Sequence, residues 1–358
     1  MKIRRLALSL LLPSLFFSSC IKDEPLYSEI DIDGFDLKNP IQIEALPFRD
    51  TELNVIVSDT SGTRFKRFAP VLRLSPGATV VPASGDSVDF EDYQARYTVT
   101  SEDKKYSREY FVNLVQVVPL KTGLEDWIMS GALWKYPAPA DNLWSSANLG
   151  IAIATSGRME EYPTRSTEDS YSGDHAAILE TKKGGRYWGQ NVPIFSGSLF
   201  RGKFDLVYGD FIKSALFGQI HPEYMGRPER FTGYYKYTPG PVFTDEDENI
   251  KDIIDECSIY AVLYRIEKGD TKKESYLTAY DILTSDRIAA KAVWQDGSAK
   301  ENFTRFDVPF TYITEPDYTK YDYRLAVIFA SSKEGDFYRG AVGSKLIVDE
   351  VEVVCEYH

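Results

Sequence analysis

The chain has 358 residues, with 41 Lys and Arg against 54 Asp and Glu and a net charge of −13 at pH 7, so it repels nucleic acid and anionic lipid head groups and has no basic cluster to offset that repulsion. An apolar fraction of 43% is ample for packed cores and excludes a disordered chain. The 24 Tyr, 20 Phe and 5 Trp suit aromatic-rich strands and equally suit sugar-binding platforms.

Lys2, Arg4 and Arg5 precede an apolar run from Leu6 to Phe17 and then Ser18-Ser19-Cys20, the order of a secretory signal ending in small residues. The run is too short to span a bilayer. Without those three cations the net charge of −13 becomes −16. The placement of Cys20 resembles a bacterial lipoprotein signal, which implies that residues 1–20 carry the signal and that Cys20 is lipidated. Ile21-Lys22-Asp23-Glu24 is similar to the acidic export tag of Bacteroidota lipoproteins. The expectation is an outer-membrane protein, exposed at the cell surface and anchored by lipid.

Residues 21–119 read as short strands with turn punctuation. Leu53-Asn54-Val55-Ile56-Val57, Tyr97-Thr98-Val99-Thr100 and Tyr110-Phe111-Val112-Asn113-Leu114-Val115 alternate, while Pro76-Gly77 and Gly85-Asp86 mark turns. This pattern suits an immunoglobulin-like β-sandwich. Leu74-Ser75-Pro76-Gly77-Ala78-Thr79-Val80-Val81-Pro82 together with the segment from Tyr97 to Asp103 resembles the small Ig-like spacer domains of gut Bacteroidota. A spacer is the role that resemblance implies.

Pro119-Leu120-Lys121-Thr122-Gly123 reads as a linker, and residues 120–358 are again strand-rich. Strands are expected at Leu149–Ala154, Ala176–Thr181, Ser198–Val207, Phe231–Tyr237, Ile259–Ile266, Arg287–Trp294, Arg305–Ile313, Arg324–Ala330 and Lys345–Val354, with one helical turn at Glu248–Asp255. So many strands suit a larger jelly-roll β-sandwich, and the fold class is all-β. Cys257 and Cys355 each sit inside an apolar run. Two buried free thiols and a single bridge both remain open.

Leu124-Glu125-Asp126-Trp127 opens this second region, Ser172-Gly173-Asp174-His175 turns into a strand, and Leu346-Ile347-Val348-Asp349-Glu350 closes it. These pieces resemble jelly-roll carbohydrate-binding modules. That resemblance implies a structural calcium ion held by Glu125 and Asp349, with Asp174 as a weaker ligand, because oxygen donors from separate strands suit a hard cation. Ser196-Gly197-Ser198-Leu199-Phe200-Arg201-Gly202, the segment Gly226 to Tyr237, Ser331-Ser332-Lys333-Glu334-Gly335-Asp336 and Gly340 to Val351 look like the putative carbohydrate metabolism domain of Bacteroidota lipoproteins. The implication is a β-sandwich linked to glycans.

A pyranose buries its C–H face on a flat ring while polar groups orient its hydroxyls. Trp144 and Trp188 sit in loop-like contexts and are the expected carbohydrate platforms, with Tyr187-Trp188 following the turn Lys183-Gly184-Gly185-Arg186; Trp127 and Trp294 read as core. Strand alternation puts Tyr235 and Tyr237 on one face, making them the next candidates. Glycoside hydrolysis needs two carboxylates flanking the bond, and only Glu160-Glu161 and Glu168-Asp169 offer weak candidates. Asp245, Asp247, Asn249 and Glu256 fall on calcium-loop spacing, but Ile250 stands where that loop needs glycine. His175 and His221 do not form a catalytic motif. The sequence therefore points to a lipid-anchored surface protein that captures oligosaccharide or polysaccharide. A glycoside hydrolase and an adhesion subunit in a surface complex are the alternatives.

Overall fold

The computed structural model describes residues 26–38, 42–45, 51–58, 67–90, 93–117, 120–141 and 143–356. Cys20 and its export tag therefore lie outside the described residues. The chain divides into two units, Met1–Gln116 and Val117–His358.

The first unit is a small β-sandwich. One sheet runs in the order Gln42–Ala45, Glu52–Ser58, Ser107–Val117, Gln94–Thr100 and Thr79–Val81, and the facing strands Ile32–Asp36 and Val71–Leu74 pair with each other. Along Gln94–Thr100 the residues Ala95, Tyr97 and Val99 are buried while Gln94 and Arg96 face water, the period-two pattern of a half-buried strand. They pack with Phe35, Leu53, Val55, Leu72 and Val112 in one core. The Tyr110 hydroxyl crosses that core to donate to the Ile30 carbonyl at 2.9 Å.

The second unit is a larger sandwich of two antiparallel sheets. The first sheet follows the order Thr164–Thr167, Ala176–Glu180, Lys345–Glu356, Arg227–Thr238 and Lys300–Pro309, with Lys121–Thr122 also paired to Lys345–Glu356. The second follows Trp144–Ser145, Ser198–Phe204, Tyr321–Ala330, Ser258–Glu267, Ile288–Val293 and Thr311–Tyr312. Phe231, Phe306 and Phe329 meet between the sheets with ring centroids 4.9 to 6.2 Å apart. Truncating such a ring to Ala costs about 3 to 5 kcal/mol.

The second sheet is covered on its outer face too. Phe200, Tyr260, Val262, Tyr264 and Ile328 form a further core there with Leu277 and Ile282 from the segment that crosses over them. Burial on both faces explains why Ile259 to Ile266 and Leu325 to Ala330 read as continuous apolar runs.

Two expectations need correction. Leu149–Ala154 is not a strand but part of the helix Asn148–Thr155. Its Leu-Gly-Ile-Ala-Ile-Ala sequence satisfies both periods, and burial of Asn148, Ile151 and Ala152 follows the helical one. Glu248–Asp255 holds no helical turn: Ile250–Lys251 pairs as a short strand with Phe243–Thr244, and the Asp245 carboxylate folds the acidic run around itself through the amides of Asp247 and Asn249.

Candidate functional site

Trp188 and Gly189 form the two-residue tip of the hairpin Lys182–Tyr187 and Gln190–Phe195. Their φ angles are 48° and 86°, as a type I′ turn demands. Gly189 takes this conformation freely, whereas a bulky Trp pays for it in strain. The turn is thus Trp188-Gly189, and the expected turn at Gly184-Gly185 is in fact strand, where a Cβ on Gly184 would clash with the Val192 carbonyl. The result is an indole that stays 53% exposed. Tyr208 stands edge-on to it at 5.4 Å and Phe211 at 5.6 Å.

Beneath this rim lies a cavity of about 110 Å³. Gly150, Ile151 and Ala154 of the helix form one wall, Val192, Ile194 and Phe195 of the hairpin another, and Phe204 and Leu206 the floor. Gly150 is needed for this fit, since a Cβ there would meet the Phe204 ring at 2.7 Å. The turn Gly335–Phe337 closes the far side and brings Asp336 and Tyr338 to the lining. Asp336 keeps intermediate exposure because it borders the cavity, yet the protein packed around it desolvates its carboxyl and pushes it up to about 6. Beside the rim, Tyr280 is half exposed, packs edge-on to Phe337 at 5.9 Å and donates its hydroxyl to Asp210 at 3.1 Å.

Trp188 is the one expected platform in this place. Trp144 is 7% exposed, packs on Phe329 at 6.1 Å and belongs to the inter-sheet core. It reads as loop because its strand, Trp144–Ser145, is only two residues long. Tyr235 and Tyr237 also face inward and are fully buried. Tyr235 donates to the Asp296 carbonyl at 2.9 Å and accepts the Trp294 indole N–H at 3.0 Å. None of the three can offer a face to a sugar. Trp127 and Trp294 pack against the same core as expected.

The carboxylates expected to hold calcium are engaged with backbone amides. One oxygen of Glu125 accepts the backbone N–H groups of Asp174 and His175 at 2.9 and 2.8 Å. One oxygen of Asp349 accepts those of Tyr171 and Ser172 at 2.7 and 3.0 Å, and its other oxygen accepts that of Glu350. Asp174 supplies an amide, and its side chain faces water. The two carboxylates thus clamp the 171–175 turn. Among the described residues no cluster of three or more His, Cys, Asp or Glu side chains could hold a metal ion.

Several of the remaining candidates are engaged within the fold. Glu161 pairs with Lys182 and Arg165, and Asp169 with Lys236. His221 is buried with its ring nitrogen 2.8 Å from the Gly226 carbonyl, and burial pulls it down to about 4. Cys257 and Cys355 are free thiols, each pushed up to about 12 by burial. Asp336, Tyr208, Phe211 and Tyr338 were not singled out from sequence, although Asp336 ends one of the segments that carries the family resemblance.

Residues 89–354 match the model of a family described as "Putative carbohydrate metabolism domain", and residues 38–114 match one described as "SGBP, N-terminal". Solved structures are similar to this chain, two of them over nearly all of their own length. One, described as a putative glycoside hydrolase from Bacteroides thetaiotaomicron, is 27% identical with a TM-score of 0.59, covering 94% of this chain and 100% of that one. The other, described as a putative glycoside hydrolase from Bacteroides vulgatus, is 28% identical with a TM-score of 0.57, covering 66% of this chain and 98% of that one. No curated protein matches.

Proposed function

Since the chain belongs to the putative carbohydrate metabolism domain family over residues 89–354, we propose that it is a cell-surface glycan-binding protein whose ligand site is the aromatic rim of Trp188, Tyr208 and Phe211 over the cavity. The observation that carries this reading is Trp188 itself. A large indole held exposed in a left-handed conformation at a hairpin tip contributes little to any core and is well placed to stack on a pyranose face. The match of residues 38–114 to a family of surface glycan-binding proteins supports the same role and the surface address. The Cys20 anchor belongs to this proposal, and Cys20→Ala should release the protein from membranes; unchanged fractionation would exclude it.

A hydrolase reading has one observation in its favour: a carboxyl held near pH 6 is the kind of group that protonates a leaving oxygen. Hydrolysis also needs a second carboxylate across the bond, and among the described residues lining the cavity Asp336 has no such companion. Binding is therefore favoured. Glycan-array binding by the mature chain carrying Cys20→Ala, followed by hydrolysis assays on every hit, tests the choice. Hits that depend on Trp188 and stay intact support binding, whereas release of reducing ends that ceases in Asp336→Asn would establish the enzyme.

A further inference from the structure

We propose that the cavity beneath Trp188 takes an ammonium group, with its aromatic walls facing the cation and Asp336 as the counter-ion. Resting on the glycan-binding reading, this makes amine-bearing sugars the ligand class, with the sugar on the rim and its ammonium below.

The lining has an unusual make-up. Tyr187, Trp188, Phe195, Phe204, Phe211 and Tyr338 supply aromatic surface, aliphatic side chains supply most of the rest, and among the described residues Asp336 is the only charged one. No described residue gives the Asp336 carboxyl a hydrogen bond or an ion pair. A carboxyl in an apolar wall is costly unless something partners it; no described residue does so, which leaves Asp336 open to a cationic ligand.

A whole pyranose does not suit this floor. Its hydroxyls need several donors and acceptors, while Ser196 already faces the Ser331 hydroxyl and the Ser332 amide. Unpaired hydroxyls in such a place would weaken binding. An ammonium group asks for less: π faces and one anion satisfy it. The cavity, about 110 Å³ on a measure where one water needs about 10 to 15 Å³, has room for a methylated or sugar-borne ammonium. The chain's net negative charge draws cations toward it.

The groups facing Asp336 leave its charge to the ligand. Tyr260 from Ser258–Glu267, Tyr338 from the adjoining turn and Tyr187 from the hairpin are phenols held above their ordinary range by burial. The neighbouring charges are engaged elsewhere: Lys333 pairs with Glu256 at 2.8 Å, and Arg339 with Glu334 at 3.0 Å. With its carboxyl near 6, Asp336 is ionised at pH 7 and mostly neutral at pH 5. A bound cation should favour ionised Asp336 and release a proton between those values.

The test is calorimetry on the mature chain carrying Cys20→Ala. The probes are a β-1,4-linked glucosamine oligosaccharide, its fully N-acetylated counterpart, a gluco-oligosaccharide of equal length, and tetramethylammonium, whose charge is independent of pH. At pH 7 the amine form should bind at least tenfold more tightly than the other two sugars. That preference, and tetramethylammonium binding, should vanish in Asp336→Asn. Wild-type tetramethylammonium affinity should fall about tenfold at pH 5, a readout that does not depend on the variant folding. Glycan binding that requires Trp188 but ignores the amine, the pH and Asp336 would overturn the cation site and leave the glycan reading standing. Tetramethylammonium binding that requires Asp336, with no affinity for any sugar, would do the reverse.

Discussion

The Ser332 hydroxyl donates to Oδ2 of Asp255 at 2.6 Å, and that one oxygen also accepts the Ser344 hydroxyl at 2.6 Å and the Ala341 amide at 2.8 Å. All of these groups are buried. Ser332 also meets Thr181 at 2.7 Å, and its carbonyl accepts the Gly335 amide at 2.9 Å. Asp255 therefore fixes both ends of the 332–344 loop that carries Asp336 to the cavity.

Asp255→Ala would leave two hydroxyls and the amides of Ala341 and Glu256 without their acceptor. The expected loss is on the order of 3 kcal/mol in urea denaturation, with weaker glycan binding as the loop shifts. Asp255→Asn, which keeps an acceptor oxygen, should lose less. Equal stability for wild type and Asp255→Ala would mean that the loop is held by other contacts.

How much of this could be read beforehand depends on the period of each segment. Ile259 to Ile266 and Lys345 to Val354 were plain strands because β-branched and aromatic residues fill them. Leu149 to Ala154 was ambiguous, since alternating Leu, Ile and small residues fit a strand as well as the helix they form. Trp188 was legible as a loop residue, but Trp144 looked the same, because a two-residue strand buried against Phe329 has no pattern of its own. Asp336 was illegible as a site residue. Its significance lies in which residues surround it, and those come from the helix, the hairpin and the Phe211 turn, none of which is near it in the chain.

Asp336 and His221 should give opposite pH slopes to stability. The Asp336 carboxyl rises from 3.8 to about 6 on folding, so between pH 4 and 6 the folded state keeps a proton that the unfolded state releases, and stability falls as pH rises. His221 drops from 6.5 to about 4, so over a similar window the unfolded state takes a proton that the folded state refuses, and stability falls as pH drops. The two offset each other in the wild type. Relative to wild type, Asp336→Asn should gain roughly 1 to 3 kcal/mol as pH rises from 4 to 6, and His221→Gln should gain a comparable amount as pH falls from 6.5 to 4. Parallel pH profiles for all three proteins in denaturant titrations would contradict this.

Asp349 clamps the turn that presents Tyr171, whose ring stacks on Tyr234 at 3.6 Å. Asp349→Ala should cost about 2 to 3 kcal/mol, because it leaves the amides of Tyr171, Ser172 and Glu350 without their acceptor. If the two carboxylates serve only to clamp this turn, excess calcium should leave the melting temperature where a chelator leaves it. A calcium-dependent rise that disappears in Asp349→Ala would restore the metal site.

The cores of the two units share no residue: that of the first draws on Ile32 to Leu114, those of the second on Leu124 and beyond. A fragment spanning Val117–His358 is therefore expected to fold without the first unit. Cooperative thermal unfolding of the isolated fragment is the check, and a molten or insoluble product would count against independence.

Trp188 supplies the sharpest test, because its conformation and its role pull in opposite directions. At the first position of a type I′ tip, Asn is the favoured residue and Trp is strained. Trp188→Asn completes an Asn-Gly turn, so it should stabilise the hairpin by about 1 kcal/mol. The same substitution removes the stacking face, so glycan affinity should fall by about 1 to 2 kcal/mol. A residue kept only for packing would lose stability on replacement. One kept for a ligand gains stability and loses affinity. Melting curves and glycan titrations on a single variant separate the two, and a destabilised Trp188→Asn would show that the indole is holding the Tyr208 and Phe211 segment together.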